Sequence, residues 1–475
     1  MRLPLIVFFT LAFQIGSAQP VFFEITYGNG GGDFSRSLKQ LPDGSIFVLG
    51  YSDSGAWGRN DVALTRLTKQ GVVVWTKYYG DTLDQYGNYF DITYDGKFIV
   101  TGETSTPANG LDFFIYKIDT AGNLMWAQTY GTLVNESMRH IEETSDKGFI
   151  ITGFQSDTNS FNDTYIVKTD SIGNIEWERW QGGVDNDYGF LAHQLPDNGY
   201  VISSDTKSFG NGGYDVNLTR IGTSGNTLWN YYYGDAFQNG CQGLFITAAG
   251  KFLSYGETEI FTFSPFEFFI ELIDTSGTSL WRRTFGGINT DAAFSIVENP
   301  DQTFVLTGYS NSVMPGPLNL AVVKVDTNGN MIWNRSYGGN GIDIGYEIIH
   351  SQDNGYLICG HRSDSTNIQV YLLHVDQTGL LTGLNEQIVS NDDLVAYPNP
   401  FSDKCTIDLK NVPDPGKARL LILDETGRDV SWIFRYSISS EGLIINAQGA
   451  VSGLYFGQIL TEKQIYRFKL VMAGL

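Results

Sequence analysis

The chain has 475 residues, with 30 Lys and Arg against 52 Asp and Glu and a formal charge of −22, so it lacks the basic footprint that nucleic acid demands. Hydrophobic residues at 42% and aromatics at 14% exclude disorder over most of the length. Only 17% of residues are charged while 55 are glycine, a balance that favours β-strands joined by tight turns.

Arg2, the apolar run of residues 3–13 and Gly16-Ser17-Ala18 have the form of a secretory signal, with cleavage expected between Ala18 and Gln19. The run is too short to span a bilayer, and no later segment approaches the roughly 18 apolar residues of a transmembrane helix. Export places Cys241, Cys359 and Cys405 in an oxidising compartment, where an odd number leaves at least one thiol unpaired. Buried, inert thiols are expected.

Tryptophans then recur at Trp75, Trp126, Trp177, Trp229, Trp281 and Trp333, at intervals of 51, 51, 52, 52 and 52 residues. A fixed period of this length marks stacked supersecondary units. Four residues before each Trp stands a glycine, and four residues after most of them comes an aromatic-glycine stop such as Tyr79-Gly80 or Tyr337-Gly338. The sixth unit divides into four strands at 293–297, 303–308, 320–325 and 331–337. Short turns join the first pair and the last pair, so the unit is an antiparallel meander. Middle strands such as Leu320-Ala321-Val322-Val323 are apolar on consecutive positions, which requires cover on both faces.

Four-stranded sheets covered on both sides at this period are the blades of a β-propeller. Glycines after the second strand, from Gly50 to Gly360 with Ser204 in one slot, count seven blades. The seventh lacks its Trp strand, and residues 21–27 supply it: Phe23 lies 52 residues before Trp75, and Tyr27-Gly28 repeats the stop. An all-β, seven-bladed propeller closed by an N-terminal strand is expected over residues 19–384, with six or eight blades or an open solenoid as alternatives. The glycines follow the Trp strand rather than ending the second strand, unlike kelch blades. The pattern resembles secreted bacterial propeller repeats, a family defined by architecture and not by one activity.

Residues 385–394 read as a linker, and a small Ig-like β-sandwich is expected beyond it, with strands at 405–409, 419–424, 442–446, 453–458 and 465–471. Tyr397-Pro398-Asn399-Pro400-Phe401, Leu423-Asp424-Glu425-Thr426-Gly427-Arg428, Gly453-Leu454-Tyr455 and Phe468-Lys469-Leu470 stand in the order and spacing of a type IX sorting domain. The resemblance covers residues 395–475. It implies the type IX secretion machinery as partner, recognition at the outer membrane, and cargo that is released or attached to surface lipopolysaccharide. Gly427, Gly453 and the final strand with Lys469 belong, on that resemblance, to the recognised fold. The residues after Val471 extend past the usual ending.

Alternation of strands puts the tight turns on one face of the ring and the longer, variable connections on the other, where binding residues gather. Trp57, Phe161, Phe209, Tyr214 and Phe266 fall in second-to-third connections and are candidates for stacking on a ligand, with capping of the blade cores as the plainer reading. In the first strands Lys39, Asp91, Glu142 and His193 share one slot, which Val297 and Ile349 fill in blades six and seven. Asp91, Glu142 and His193 are the candidates for acid-base chemistry, against the preferred reading of ion pairs in a wet channel. A repeated acidic slot opening the third strands, as at Asp61 and Asp215, reads as a loop anchor. Asp185-Asn186-Asp187 carries oxygen ligands for Ca²⁺ without EF-hand spacing, so no cofactor is expected. No G-x-S-x-G, H-E-x-x-H, C-x-x-C or P-loop occurs.

These features describe an exported surface or secreted protein whose propeller binds an extracellular glycan or protein. The alternative is a polysaccharide-degrading hydrolase or lyase working in the channel. A third reading, a structural adhesion component, has no soluble ligand.

Overall fold

The computed structural model describes residues 22–55, 59–106, 110–156, 161–261, 265–287, 289–312, 317–363, 367–381, 394, 396–410, 412, 415, 419–424, 430–439, 442–446, 452–460 and 465–472. Ala18, Gln19, Trp57 and Gly427 lie outside them, and of Lys469 only the backbone is described.

Six four-stranded antiparallel sheets follow one another at 33–79, 85–130, 136–181, 187–233, 239–285 and 291–337, each in sequential strand order. The seventh takes three strands from 342–375 and its fourth from β1, Phe23–Tyr27, which pairs with Ile368–Val375 in the register Phe23 to His374 and Tyr27 to Val370. The first strand of every sheet packs against the first strands of its neighbours, and Asp33–Gln40 packs against Ile342–His350. These contacts make an inner ring with no open end: a seven-bladed β-propeller whose extremities meet in blade 7.

The repeated residues hold blade to blade. Gly122, in the last turn of blade 2 with φ +77°, sits against blade 1 so closely that a Cβ there would lie 2.8 Å from the Trp75 ring. Gly225 and Gly329 approach Trp177 and Trp281 in the same way. Tyr79 of the stop motif donates its hydroxyl to the Gly122 carbonyl at 2.9 Å, and Tyr233 does the same to Gly277 at 2.6 Å. Across the closing seam Phe23 takes the Trp position and packs against Gly71, which explains why the N-terminal strand needs an aromatic residue there. Each blade interface buries its own apolar cluster, such as Phe47, Leu49, Phe90 and Val100 between blades 1 and 2.

The described residues between 396 and 472 form two sheets around one core. One sheet orders Ala396–Tyr397, Lys404–Ile407, Gly442–Asn446 and Arg435–Ser439, and the other Arg419–Asp424, Gly453–Leu460 and Ile465–Met472. Cys405, Ile422, Ile445, Tyr455 and Leu470 are buried between them. The strand Arg435–Ser439 was not expected from sequence: all five of its residues are exposed, so no apolar alternation announces it.

Candidate functional site

One irregularity organises the channel. The first strand of every blade carries a register shift at the same point: Ser35/Ser37 in blade 1, Met138/His140 in blade 3 and Gly345/Glu347 in blade 7 are examples. A β-bulge inserts one unpaired residue and re-aims the side chains around it. The inserted residues are Arg36, Asn88 and Arg139 in blades 1 to 3, Phe190 and Gln242 in blades 4 and 5, and Phe294 and Tyr346 in blades 6 and 7. Residues beyond the bulge lie toward the tight-turn face, and residues before it lie toward the long connections. The channel therefore has two layers.

The layer toward the tight turns holds the ionisable slot. Lys39 Nζ is 2.8 Å from Glu347 Oε1 across the ring seam, and the other Glu347 oxygen accepts from the Ser37 hydroxyl at 2.8 Å and the Leu38 N–H at 2.5 Å. Lys39 also lies 4.6 Å over the Tyr89 ring. His193 Nδ1 is 2.6 Å from Glu142 Oε2, whose other oxygen accepts the Gln194 N–H at 3.0 Å. Burial alone lowers the His193 imidazole, but the hydrogen bond and charge of Glu142 outweigh it and hold the group above its ordinary value. Burial raises the Asp91 carboxyl, although Lys39 and the Ile92 N–H oppose the shift. His140 is pushed down to about 3 by burial, with His193 and Lys39 adding to the effect, and stays neutral. Lys39, Asp91, Glu142 and His193 thus face one lumen, as their shared slot implies. Glu347, which sequence reasoning missed, occupies the slot of Ser37 rather than of Lys39.

The layer toward the long connections is built of rings and guanidinium groups. The Arg36 guanidinium lies 4.3 Å over the Tyr346 ring and reaches the Tyr51 hydroxyl at 3.5 Å. Phe34 stacks on Tyr51 at 4.7 Å, and Tyr346 stacks on Phe294 at 5.4 Å. Across the channel Arg139 lies 4.4 Å over the Phe190 ring and 5.6 Å from both Phe154 and Tyr188. Tyr86 and Tyr188 are oriented by amide donors from the preceding blade's connection, Asn60 at 3.2 Å and Asn162 at 3.0 Å. Three carboxylates share the layer, Glu103, Asp205 and Glu257. Burial raises Glu257 to about 7 and Asp205 well above the carboxylate range. Apart from buried Asp205, these side chains are partly exposed to the lumen. The column Tyr51, Glu103, Phe154, Asp205, Glu257, Tyr309 and His361 directly follows the repeated second-strand slot, and that adjacency is the signal from which this rim was legible.

Of the five connection aromatics Trp57 lies outside the described residues, and the other four point in different directions. Tyr214 turns inward, its ring 6.1 Å from Tyr188 at the mouth. Phe209 turns outward and stacks on Tyr232 of the outer strand at 5.4 Å. Phe266 pairs with Glu259 in the blade 5 ladder and is half-buried, while Phe161 is exposed. Asp185 is paired with Lys207 at 3.2 Å, and Asp187 accepts from the Gly183 N–H at 3.0 Å and from Ser208 at 2.6 Å. Asp215 does anchor its loop, accepting from the Asn211 N–H at 2.5 Å. A more regular anchor stands at the start of the first strand, since Asp33, Gln85, Asp187 and Asp291, each the first residue, and Asp343, the second, accept from the N–H four residues earlier.

In the C-terminal sandwich the proline motif docks on the final strand. Asn399 Oδ1 accepts the Val471 N–H at 2.7 Å, and the Phe401 N–H donates to the Val471 carbonyl at 2.9 Å. Phe401 is buried while Tyr397 stands 79% exposed, and Gly453 pairs with Met472. Pro398 and Pro400 follow cis peptide bonds. The two ends of the motif set therefore form one unit of structure. Residues 395–473 match the family model described as the secretion system C-terminal sorting domain.

The chain ends in a type IX sorting domain. A protein with this sorting domain is translocated by the type IX system and is secreted or attached to the outer membrane or cell surface. No described helix is long and apolar enough to cross a membrane. A search of curated proteins gives no match. Solved structures similar to the chain include the WD40 domain of Neurospora crassa Pan2, at 10% identity over 72% of this chain and 89% of that one, with a TM-score of 0.47. PorZ, a surface component of the type-IX secretion system of Porphyromonas gingivalis, is 13% identical, with a TM-score of 0.43. The match covers 94% of this chain and 60% of PorZ. YCF48 bound to D1 peptide is 10% identical over 76% of this chain and 96% of that one, with a TM-score of 0.44.

Proposed function

We propose that the propeller is a binding module for an extracellular glycan or protein, delivered to its place of action by an N-terminal secretory signal and the C-terminal sorting domain. The observation that supports it is the rim of the channel on the long-connection face, where Tyr51, Tyr346, Phe34 and Phe190 stand partly exposed beside two arginines. Rings with a wet edge supply contact area at low entropic cost, and concave sites with a few convergent polar groups are where ligands bind. Tyr214 extends this rim, and Phe161, Phe209 and Phe266 flank it on the same face.

The test is binding of the purified exported protein to a glycan array and to candidate surface proteins, repeated with Tyr51→Ala and Tyr346→Ala. A ligand whose affinity falls about tenfold or more in either variant supports the reading. Loss of no affinity in both variants overturns it. A second reading, polysaccharide cleavage, is favoured by the Glu142 to His193 hydrogen bond with Asp91 nearby, since a carboxylate that orients an imidazole can serve acid-base chemistry. Activity on a polysaccharide panel that disappears in Glu142→Ala and His193→Ala would establish it, and activity surviving both would remove it.

A further inference from the structure

The two arginines of the rim differ from five other cations that the propeller takes out of water. Lys117, Lys168 and Arg220, buried between strands, are paired with Asp95 at 3.1 Å, Asp146 at 3.0 Å and Asp197 at 2.5 Å. Lys39 and Arg362 are likewise paired, with Glu347 at 2.8 Å and Asp343 at 2.6 Å. Among the described residues no carboxylate lies within 4.0 Å of the Arg36 or Arg139 guanidinium, and Arg139 makes no hydrogen bond. Burial pushes the Arg139 guanidinium below its ordinary value, and the partial attraction of Asp205 and Glu103 does not restore it. Burial opposes the charge of Arg36 too, but the hydroxyls of Tyr346 and Tyr51 hold that guanidinium above its ordinary value.

In a chain of net charge −22 carboxylates are abundant, so leaving two guanidinium groups unpaired in a lumen is not for want of partners. A half-buried cation that touches no carboxylate is costly. Its planar fork suits a carboxylate or a sulfate in bidentate contact. Both arginines lie over rings, Arg36 4.3 Å from the Tyr346 centroid and Arg139 4.4 Å from that of Phe190, contacts that restrict the guanidinium groups before any ligand arrives and lower the entropy lost on binding.

We infer that the channel mouth is a site for an acidic polysaccharide, whose uronate carboxylates or sulfate groups are taken by Arg36 and Arg139 and whose sugar faces stack on the rim aromatics. A glycan is favoured over an acidic peptide by what else lines the mouth. Asn88, Gln242, Glu103 and Glu257 offer donors and acceptors suited to hydroxyl groups. This inference rests on the binding reading above and names the ligand of that same site.

The test uses the purified exported protein and isothermal titration at low and at physiological salt. The probes are oligogalacturonate (uronate), a sulfated chondroitin oligosaccharide (sulfate), a neutral dextran oligosaccharide and a poly-glutamate peptide. One or both acidic glycans should bind, with affinity falling as salt rises, and dextran and poly-glutamate should not. Arg36→Gln and Arg139→Gln should each weaken binding by about 10- to 100-fold, the worth of a hydrogen bond to a charged group. Arg139→Lys, which keeps the charge but not the fork, should recover only part. Circular dichroism of each variant checks the fold, and retention of binding by a folded Arg139→Gln protein overturns the inference. Dextran or peptide binding that is lost in Tyr346→Ala but unchanged in the arginine variants keeps the rim as a site and refutes the acidic glycan. The absence of binding by every acidic glycan at millimolar concentration also refutes it.

Discussion

The seam between blades 7 and 1 rests on a few groups, and Glu347 is the one whose removal should be felt most. Its carboxylate is the partner of Lys39 at 2.8 Å, with the two side chains only 14% and 12% exposed, and it also accepts from Ser37 and from the Leu38 N–H. Glu347→Ala leaves a buried ammonium without its counter-ion, which costs about 3–5 kcal/mol in comparable pairs. The stranded Leu38 donor adds to this, about 1–3 kcal/mol if water does not replace the acceptor. Water entering the lumen reduces the sum, so a loss of about 3–5 kcal/mol is expected. The paired change Lys39→Met with Glu347→Leu should recover much of it, because apolar replacement of a buried pair is often near neutral. Urea unfolding followed by tryptophan fluorescence reads the propeller, since Trp432 alone of the nine tryptophans lies beyond residue 384. A Glu347→Ala loss under about 1 kcal/mol would refute the assignment of a buried, closing ion pair.

Three further outcomes follow from individual sites. Gly122 and Gly96 both have φ near +75°, at +77° and +72°, but a Cβ at Gly122 meets Trp75 at 2.8 Å whereas Gly96 has nothing within 4 Å. Gly96→Ala should cost about 1–2 kcal/mol from backbone strain alone and Gly122→Ala about 1–3 kcal/mol more from overpacking, measured as a difference in urea midpoint. In NMR titration His193 should lose its proton above the ordinary histidine value while His140, held near 3, and His361, held near 4, stay neutral across pH 5 to 8. The stability that His193 contributes is therefore complete below about pH 6.5 and is lost as pH rises through its folded value. The two neutral imidazoles act in the opposite sense, withdrawing stability as pH falls below about 6.5. Cys241 and Cys405, both buried with thiols raised to about 12, should not react with a disulfide reagent at pH 8 until denaturant is added. Prompt reaction of the native protein would contradict their burial.

The ring was legible because its signals are redundant. A tryptophan, a glycine and an aromatic stop recur together, and each answers a contact between neighbouring blades: Trp75 lies under Gly122, and Tyr79 bonds the Gly122 carbonyl. Phe23 could be read as the seventh member of that column for the same reason. The channel was half legible. Counting back from the first turn locates Lys39, Asp91, Glu142 and His193 on one inner slot, and the count is sound as far as the bulge. Beyond the bulge the two-residue alternation of a strand shifts by one, so Arg36 and Arg139 join the rim although simple alternation gives them no reason to. Glu347 was overlooked because blade 7 offers its carboxylate two residues earlier than blades 2 and 3 do. The directions of the connection aromatics were not legible, because position in a loop does not determine direction. Tyr214 and Phe209 share one loop, yet one ring turns to the mouth and the other to the rim's outer strand. His361, which holds the position of Tyr309 in blade 7, packs against Phe34 and Tyr346 inside the mouth.

The most direct measurement is the crystal structure of the purified protein soaked with trigalacturonate. Density spanning the mouth, with carboxylates facing Arg36 and Arg139 and a sugar ring over Tyr346 or Phe190, is the expected result. Density confined to the outer strands or the tight-turn face, or a vacant mouth in a crystal whose channel is open to solvent, would contradict it.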